Sequence, residues 1–491
     1  MSLRALADTC GAQLSGAGPD VTGITMRNTR VRPGDLFVGV PGQSVHGAHF
    51  APDAVAAGAT AVLTDPAGAA YVPAGVPVLT VADVRAVLGP VAATVYCNPS
   101  RDMAMLGVTG TSGKTTTAYF LRAGLRALGR TSGLIGTVAT MIGDEAIKTG
   151  FTTPEATEVQ ALLAVMRERG TQAVAMEVSS HALALGRADG IEFAVGAFTN
   201  LSQDHLEFHA DMEDYFAAKA RLFDGRSRAA VVVTDDDWGR RMAVIAGPDA
   251  ITVSTTGDRA ATWQARDVRA DAMGRTEFTV IGPGVELRTG CAVPGQYNVA
   301  NALLTLAILD TAGLSVRTAA PAVAVASVPG RMERVDAGQQ FLAVVDYSHK
   351  PAAVEGALRA LRPLTAGRLI IVLGCGGDRD RAKRPMMGEL AARGADLLIV
   401  TDDNPRSEDP ESIRLAMLDG ALAVPAADRG EVREVGNRGD AIASAVATAQ
   451  AGDTVLVAGK GHESGQEIDG VVHPFDDRDV LREALRAGGG T

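Results

Sequence analysis

Residues 107–117, Gly107-Val108-Thr109-Gly110-Thr111-Ser112-Gly113-Lys114-Thr115-Thr116-Thr117, carry the sharpest chemistry in the chain. They follow a short apolar run and open a helical pattern. Glycine at 110 and 113 lets successive backbone N–H groups turn toward one centre, where phosphate oxygens collect them. Lys114 would neutralise the outer phosphates of a nucleoside triphosphate, and the Thr115 hydroxyl at the helix start can hold Mg²⁺. Gly110, Thr111, Ser112, Gly113, Lys114, Thr115 and Thr116 are therefore the expected contacts to the phosphates of a bound nucleotide. The spacing is Gly110-x-x-Gly113-Lys114-Thr115, with Val108 where the usual phosphate loop has its first glycine. The plain alternative is a glycine turn that caps a helix.

Three further residues bear on a phosphate centre. Glu177 ends an apolar run, and Asp204-His205-Leu206-Glu207-Phe208-His209 follows the next one. Carboxylate, imidazole and hydroxyl can share a hydrated Mg²⁺, which makes Thr115, Glu177 and His205 the candidate metal set. Imidazole is an uncommon magnesium ligand, so a structural role for His205 stays open, as does a helix-capping role for Glu177. Lys219 has Tyr215, Phe216, Leu222 and Phe223 at helical spacing around it. That puts it on the apolar face of a helix, where burial would lower its pKa and leave a nucleophilic amine. A lysine that snorkels its head into water fits the same pattern.

These groups need elements to hold them. Short apolar runs recur and end in polar, often glycine-bearing turns: Ala104–Val108, Ala173–Glu177, Phe193–Phe198 and Ala229–Val233, then Leu369–Leu373, Leu397–Val400 and Thr454–Val457. Each precedes a helical pattern, which predicts buried parallel strands in βαβ series. In such sheets ligands sit beyond the carboxyl ends of the strands, where the polar clusters fall. Asn98-Pro99-Ser100 and Val328-Pro329-Gly330-Arg331 break the pattern. The expected domains are 1–100, 101–330 and 331–491, all α/β. The 491 residues suit three such domains. A net charge of −11 disfavours nucleic acid as a partner. Cys10, Cys97, Cys291 and Cys375 are too scattered for a zinc site or a disulfide framework. An acid at Asp8 interrupts the amino terminus before a signal-type apolar run forms, and no run of 18 apolar residues occurs. A cytoplasmic protein without membrane insertion is the expectation.

The ordered motifs resemble the Mur ligase family: GVTGTSGKTTT (107–117), TTPE (152–155), MEVSSHAL (176–183), TNLSQDHLEFH (199–209), YFAAKARLF (215–223), GQYNVANA (295–302), PGRMERV (329–335), VDYSHKP (345–351), GCGGDRDRAKRPMM (374–387), DDNPR (403–406, from the second Asp) and AGKGHE (458–463). The resemblance implies an amino-terminal substrate domain, a central ATPase domain on a mostly parallel sheet, and a doubly wound, Rossmann-like last domain. It implies ATP-dependent amide formation through an acyl phosphate. Lys114, Glu177, His205 and Lys219 would be the catalytic set, with Lys219 carbamylated. Asn298, Asn301, Arg331, Asp346 and His349 match nucleotide contacts, with closure of the last domain completing the site. Ser348 replaces the more usual alanine.

The resemblance also assigns substrates. Thr29, Thr152, Thr153, Ser179 and Arg187 match positions that hold UDP-N-acetylmuramoyl-L-alanyl-D-glutamate. Asn28 and His46 depart from the residues usual in the uridine segment. Diaminopimelate carries a second amino-carboxylate end that lysine lacks, so a protein selecting it should offer a fixed guanidinium and acceptors for an ammonium. Asp403-Asn404-Pro405-Arg406 supplies the guanidinium, and the family's diaminopimelate-adding members carry this pattern. Arg379, Gly459 and Glu463 match the accompanying contacts. The competing readings are a lysine-adding or folylpolyglutamate-forming relative, and a nucleotide-binding module without turnover. A monomer using small-molecule substrates is expected.

Overall fold

The computed structural model describes residues 1–42, 44–147, 152–271 and 274–488. Two compact units partition the chain. The first comprises Met1–Gln264, Gly282–Gly284 and Leu303–Ala322, and the second the remainder.

The first unit holds two sheets. The amino-terminal one has five strands in the order Gln13–Ser15, Val78–Thr80, Ala61–Thr64, Asp35–Gly39, Gly23–Thr25, antiparallel in its first pair and parallel after it. Leu36, Val38, Leu63 and Leu79 pack against Leu88, Val91 and Ala92 of the helix Val84–Val95. Ala156, from the helix Ala156–Glu168, completes that core. A Cβ at Gly89 would fall 2.3 Å from the carbonyl oxygen of Asp189, so the absence of a side chain lets this helix close on the second sheet's connections.

The second sheet includes, in order, Ile251–Ser254, Ser227–Val233, Phe193–Phe198, Ala104–Thr109, Ala173–Glu177, Ser132–Ile135, all parallel, then Thr140–Ile142 and Glu145–Ile147 antiparallel, and it continues beyond Ile251–Ser254. Its central strands, Phe193–Phe198, Ala104–Thr109, Ala173–Glu177 and Ser132–Ile135, are buried nearly throughout, as apolar runs require of a sheet covered on both faces. Ala104–Thr109 pairs with Ala173–Glu177 on one side and Phe193–Phe198 on the other, a point where the strand order reverses. In register, Glu177 lies opposite Val108 and Phe198 opposite Thr109. Three strand ends therefore deliver Gly110, Val178 and Thr199 to one edge.

The second unit is built on a sheet ordered Glu333–Arg334, Leu342–Asp346, Thr454–Ala458, Leu369–Leu373, Leu397–Val400, Glu431–Glu434, parallel except for the first strand. Helices such as Lys383–Gly394, Pro410–Ala423 and Arg438–Thr448 cross over between its strands. Thr454–Ala458, last in the chain, sits between the first two parallel strands, so Asp346 and Leu373 both lie opposite Ala458. The loops that start at Tyr347, Gly374, Thr401 and Gly459 thus share one edge. A separate antiparallel hairpin, Gly465–Ile468 with Val471–Pro474, follows. Arg438 and Asp477, both fully buried, form a forked ion pair at 2.7 Å that anchors the last helix. Among the described residues no helix is long and apolar enough to cross a membrane.

Candidate active site

The loop after Ala104–Thr109 is held open by glycine and clamped by its neighbour strand. Gly110 has φ +144°, and a Cβ there would lie 1.9 Å from Thr199 Oγ1. Thr199 Oγ1 donates to the Ser112 carbonyl at 2.7 Å. Asn200 grips Ser112 twice, its Nδ2 donating to the carbonyl and its Oδ1 accepting the N–H, both at 3.1 Å. Gly113, at φ +89°, precedes the helix Lys114–Ala127, and no side chain caps that helix start. The N–H groups of the first turn point to an uncapped, electropositive end.

Two ammonium groups converge on one carbonyl. Lys114 Nζ donates to Gly110 O at 2.7 Å and to Thr111 O at 2.8 Å, and Lys219 Nζ donates to the same Gly110 O at 2.8 Å. Lys219 is 1% exposed and lies 4.4 Å from the centre of the Tyr215 ring. Its head is in the protein, not in water. Burial, then the charge of Lys114, holds its ammonium well below the usual lysine range, and Asp204 opposes the shift. Tyr215 shares a hydrogen bond with Thr111 Oγ1 at 3.2 Å, so the lysine's helix and the phosphate loop are joined a second time.

Glu177 is buried at the end of its strand. Oε2 accepts from the Thr115 and Thr137 hydroxyls, each at 3.0 Å, and Oε1 accepts the Thr137 N–H at 2.8 Å. The cap of the following helix, Ser180–Ala184, is the Ser179 side chain instead, which answers the capping alternative for Glu177. Thr153 Oγ1 donates to the Glu177 carbonyl at 2.9 Å, and Thr152 Oγ1 meets Thr137 Oγ1 at 3.0 Å. Thr115, Thr137, Thr152, Thr153 and Glu177 therefore form one network. Its carboxylate and hydroxyls are hard oxygen donors of the kind Mg²⁺ takes.

His205 has a left-handed backbone, φ +55°. Its Nδ1 meets Glu207 Oε1 at 3.2 Å, and its ring stands edge-on to His181 at 4.7 Å. Burial, with His205 and His209 close by, keeps His181 neutral down to about 4. The structure thus joins Thr115 to Glu177, and His205 to His181 and Glu207. Of the remaining substrate candidates, Arg187 pairs with Glu155 at 2.9 Å, the Ser179 N–H donates to Thr153 Oγ1 at 3.3 Å, and Thr29 is exposed on the turn Asn28–Arg30.

In the second unit, Asn301 Nδ2 donates to Asn298 Oδ1 at 2.9 Å, and Asn298 Nδ2 donates to Pro294 O at 2.7 Å. Asp346 accepts the N–H of Met332 at 2.7 Å and both the N–H and the hydroxyl of Ser348. Arg331 lies 4.2 Å over the Tyr347 ring, and burial keeps His349 neutral down to about 4. Asp403 is buried against Gly459, where a Cβ would come within 2.5 Å of its Oδ2. Asn404 Nδ2 donates to Glu463 Oε2 at 2.9 Å, and the carbonyl of Asn404 accepts the Gly377 N–H at 2.9 Å. A Cβ at Gly377 would overlap the Pro405 carbonyl at 1.8 Å, so these two loops touch backbone to backbone. Arg406, with φ +55°, donates Nη1 to Gly377 O at 2.7 Å and pairs its Nε with Glu467 Oε2 at 3.2 Å. Arg379 is exposed beside it.

The domain descriptions that match this chain cover nearly all of it: "Mur ligase family, catalytic domain" over residues 20–96, "Mur ligase middle domain" over 108–309, and "Mur ligase, glutamate ligase domain" over 330–461. The chain is a Mur ligase. This Mur ligase is 57% identical over 488 residues to the UDP-N-acetylmuramoyl-L-alanyl-D-glutamate–2,6-diaminopimelate ligase of Streptomyces avermitilis, covering 99% of the chain and 96% of the relative. It is 52% identical to the protein of the same name from Corynebacterium efficiens, covering 99% and 95%. A solved structure of a ligase with that name superimposes on the Mur ligase with a TM-score of 0.71 at 32% identity, covering 96% of each chain. The α/β architecture of mostly parallel sheets expected from the motifs is the one observed.

Two groups of residues escaped the motif reading. Thr137 lies in a stretch without a motif, and nothing in its local sequence marks it as a partner of Glu177. Lys460, inside the AGKGHE motif but given no role there, and Glu467, outside every motif, sit on the Asn404 and Arg406 side chains. The Asp469-Gly470 pair is the usual mark of the hairpin that carries Glu467.

Proposed function

We propose that this Mur ligase uses ATP to join meso-2,6-diaminopimelate to the D-glutamate of UDP-N-acetylmuramoyl-L-alanyl-D-glutamate, acting in the cytoplasm as a monomer whose domains are 1–100, 101–330 and 331–491. The observation that carries the choice of amino acid is the fixed fork of Arg406 beside the Asn404–Glu463 pair, one donor group and one acceptor group. An acid end and an amine end on the same carbon find complementary partners there.

The reaction activates a carboxylate by phosphorylation and then lets an amine displace the phosphate. Backbone N–H groups at the uncapped helix start, Gly113–Thr115, and the Lys114 ammonium take the phosphate charge. Lys114 exchanges its two loop carbonyls for phosphate oxygens when it does so. Thr115 and Glu177, with His205, would hold Mg²⁺, which supplies neutralisation of the phosphate charge. Lys219, whose pKa burial lowers, gains the amine character toward CO₂ that the family's carbamate needs, and its anchorage on Gly110 keeps the product anion at the loop. Thr29, Thr152, Thr153, Ser179 and Arg187 are assigned to the nucleotide-sugar dipeptide. Asn298, Asn301, Arg331, Asp346 and His349 are assigned to ATP. Arg379, Asp403, Asn404, Pro405, Arg406, Gly459 and Glu463 are assigned to diaminopimelate.

The test is turnover with MgATP, the UDP-linked dipeptide and either meso-diaminopimelate or L-lysine, followed by ADP release and product mass. Release that needs both the dipeptide and diaminopimelate, with a tripeptide product, is expected. Release without a lengthened product, or a preference for lysine, refutes the reading.

A further inference from the structure

Lys460 is 0% exposed, and none of the roles assigned above uses it. Its three N–H donors meet three acceptors: Gly465 O at 2.6 Å, Asn404 Oδ1 at 3.0 Å and Glu463 Oε2 at 3.4 Å. Asn404 Oδ1 also accepts the Glu467 N–H at 3.0 Å. Two donors on one side of the amide fix which atom is oxygen, so Nδ2 must face Glu463, which it reaches at 2.9 Å. The buried ammonium therefore sets the amide, and the amide sets the carboxylate.

The charges in this cluster come in matched pairs. Lys460 stands against Glu463, and Arg406 stands against Glu467. Arg406 spends Nε on Glu467 and Nη1 on Gly377 O, and its Nη2 has no protein partner among the described residues. Lys460 and Arg406 are each balanced before a substrate arrives, and Arg379 and Asp403, assigned to the same subsite, add one charge of each sign. A side-chain end bearing one ammonium and one carboxylate adds no net charge to this balance. An end bearing only an ammonium leaves one positive charge in excess, at a place where a lysine is already out of water.

We propose that Lys460 is a positioning residue that determines specificity: by holding Asn404 and Glu463 and by cancelling the Glu463 charge, it tunes the subsite to a zwitterionic amino-acid end and against a purely cationic one. The proposal rests on the diaminopimelate reading above and deepens it. Without the Lys460 charge the subsite carries an extra negative charge, which suits the lone ammonium of L-lysine. Without the Glu467 charge it carries an extra positive charge, which repels that ammonium and leaves a net-neutral end less affected.

The experiment compares kcat/KM for meso-diaminopimelate and for L-lysine in the full-length enzyme, its Lys460→Met variant and its Glu467→Gln variant, with MgATP and the UDP-linked dipeptide saturating. Lys460→Met is expected to move the diaminopimelate-to-lysine ratio at least tenfold toward lysine, and Glu467→Gln to move it the opposite way. Glu467 is 40% exposed, so its variant keeps the test alive where a buried substitution fails to fold. A general loss of structure lowers both substrates together and leaves the ratio in place. A ratio unchanged in either folded variant, or shifted in the same direction by both, overturns the proposal while diaminopimelate turnover by the parent enzyme leaves the functional reading standing. A parent enzyme that does not ligate diaminopimelate removes both.

Discussion

Replacing Arg406 tests the amino-acid subsite most directly. Truncating one partner of a desolvated, hydrogen-bonded charge pair costs about 2–5 kcal/mol. The Arg406 side chain keeps 23% of its surface, and its partner Glu467 keeps 40%, so solvent screens part of that interaction. The expected loss for Arg406→Ala therefore sits at the low end, about 2–3 kcal/mol, or roughly 30- to 150-fold in kcat/KM for diaminopimelate. Arg406→Lys keeps the charge without the fork and should fall between parent and alanine variant. Fold stability should fall modestly. The broken pair leaves a well-hydrated Glu467, worth less than about 1 kcal/mol, and takes the Nη1 donor from the Gly377 carbonyl, worth about 1–3 kcal/mol. Alanine meets the same left-handed backbone that arginine already tolerates at φ +55°. The assay is initial-rate ligation with diaminopimelate and L-lysine varied at saturating MgATP and dipeptide, beside a thermal melt. An unchanged kcat/KM for diaminopimelate refutes the assignment. So does an equal loss with lysine, because the fork would then be serving the loop and not the carboxylate.

Lys219→Ala should abolish ligation while nucleotide binding persists, with small added carboxylates restoring part of the rate; a fully active plain variant would discard the carbamate. Thr137→Val deletes one hydrogen bond to the Glu177 carboxylate and leaves the Thr137 N–H bond in place. A bond to a charged acceptor contributes about 1.5–3 kcal/mol, so kcat should fall roughly tenfold to a hundredfold with little change in the KM for ATP, and an unaltered kcat would remove Thr137 from the network. Burial holds both His349 and His462 neutral, from an ordinary value of 6.5 down to about 4. Below pH 6.5 the unfolded chain takes up protons that the fold refuses, so stability should be complete above that pH, decline toward pH 4 and level off there. Urea unfolding across that window should show the decline, and His462→Gln should flatten it.

What was legible in the sequence was whatever chemistry writes locally. Leu369–Leu373 and Phe193–Phe198 are continuous apolar runs because both faces of their sheets are covered, and their limits are those of the observed strands. Gly110 and Lys114 belong to a loop whose geometry follows from neighbouring residues. Helical spacing put Lys219 on an apolar face, because Tyr215 and Phe216 lie on its own helix, but left burial and snorkelling open until the fold placed its head on Gly110. Contacts across strands were not readable. Thr137 reaches Glu177 over 40 positions, and Lys460 reaches Asn404 over 56, through pairings that no local pattern encodes. His205 shows the same limit. Its neighbours His181 and Glu207 depend on how the loop after Phe193–Phe198 turns, which a left-handed residue decides.

The hairpin Gly465–Pro474 turns back through its own Asp469-Gly470 corner and is stitched to the arginine loop by the bonds from Arg406 N–H to Glu467 O and from Asp469 N–H to Arg406 O. Glu467 and the Gly465 carbonyl travel with this ribbon, while the parallel sheet beneath takes no strand from it. The Glu467 share of the proposed selectivity is thereby lodged in an exchangeable cassette. A ribbon of different charge could be grafted onto the same sheet, and the enzyme's taste in amino acids retuned, without redesign of the core or of the machinery that handles ATP.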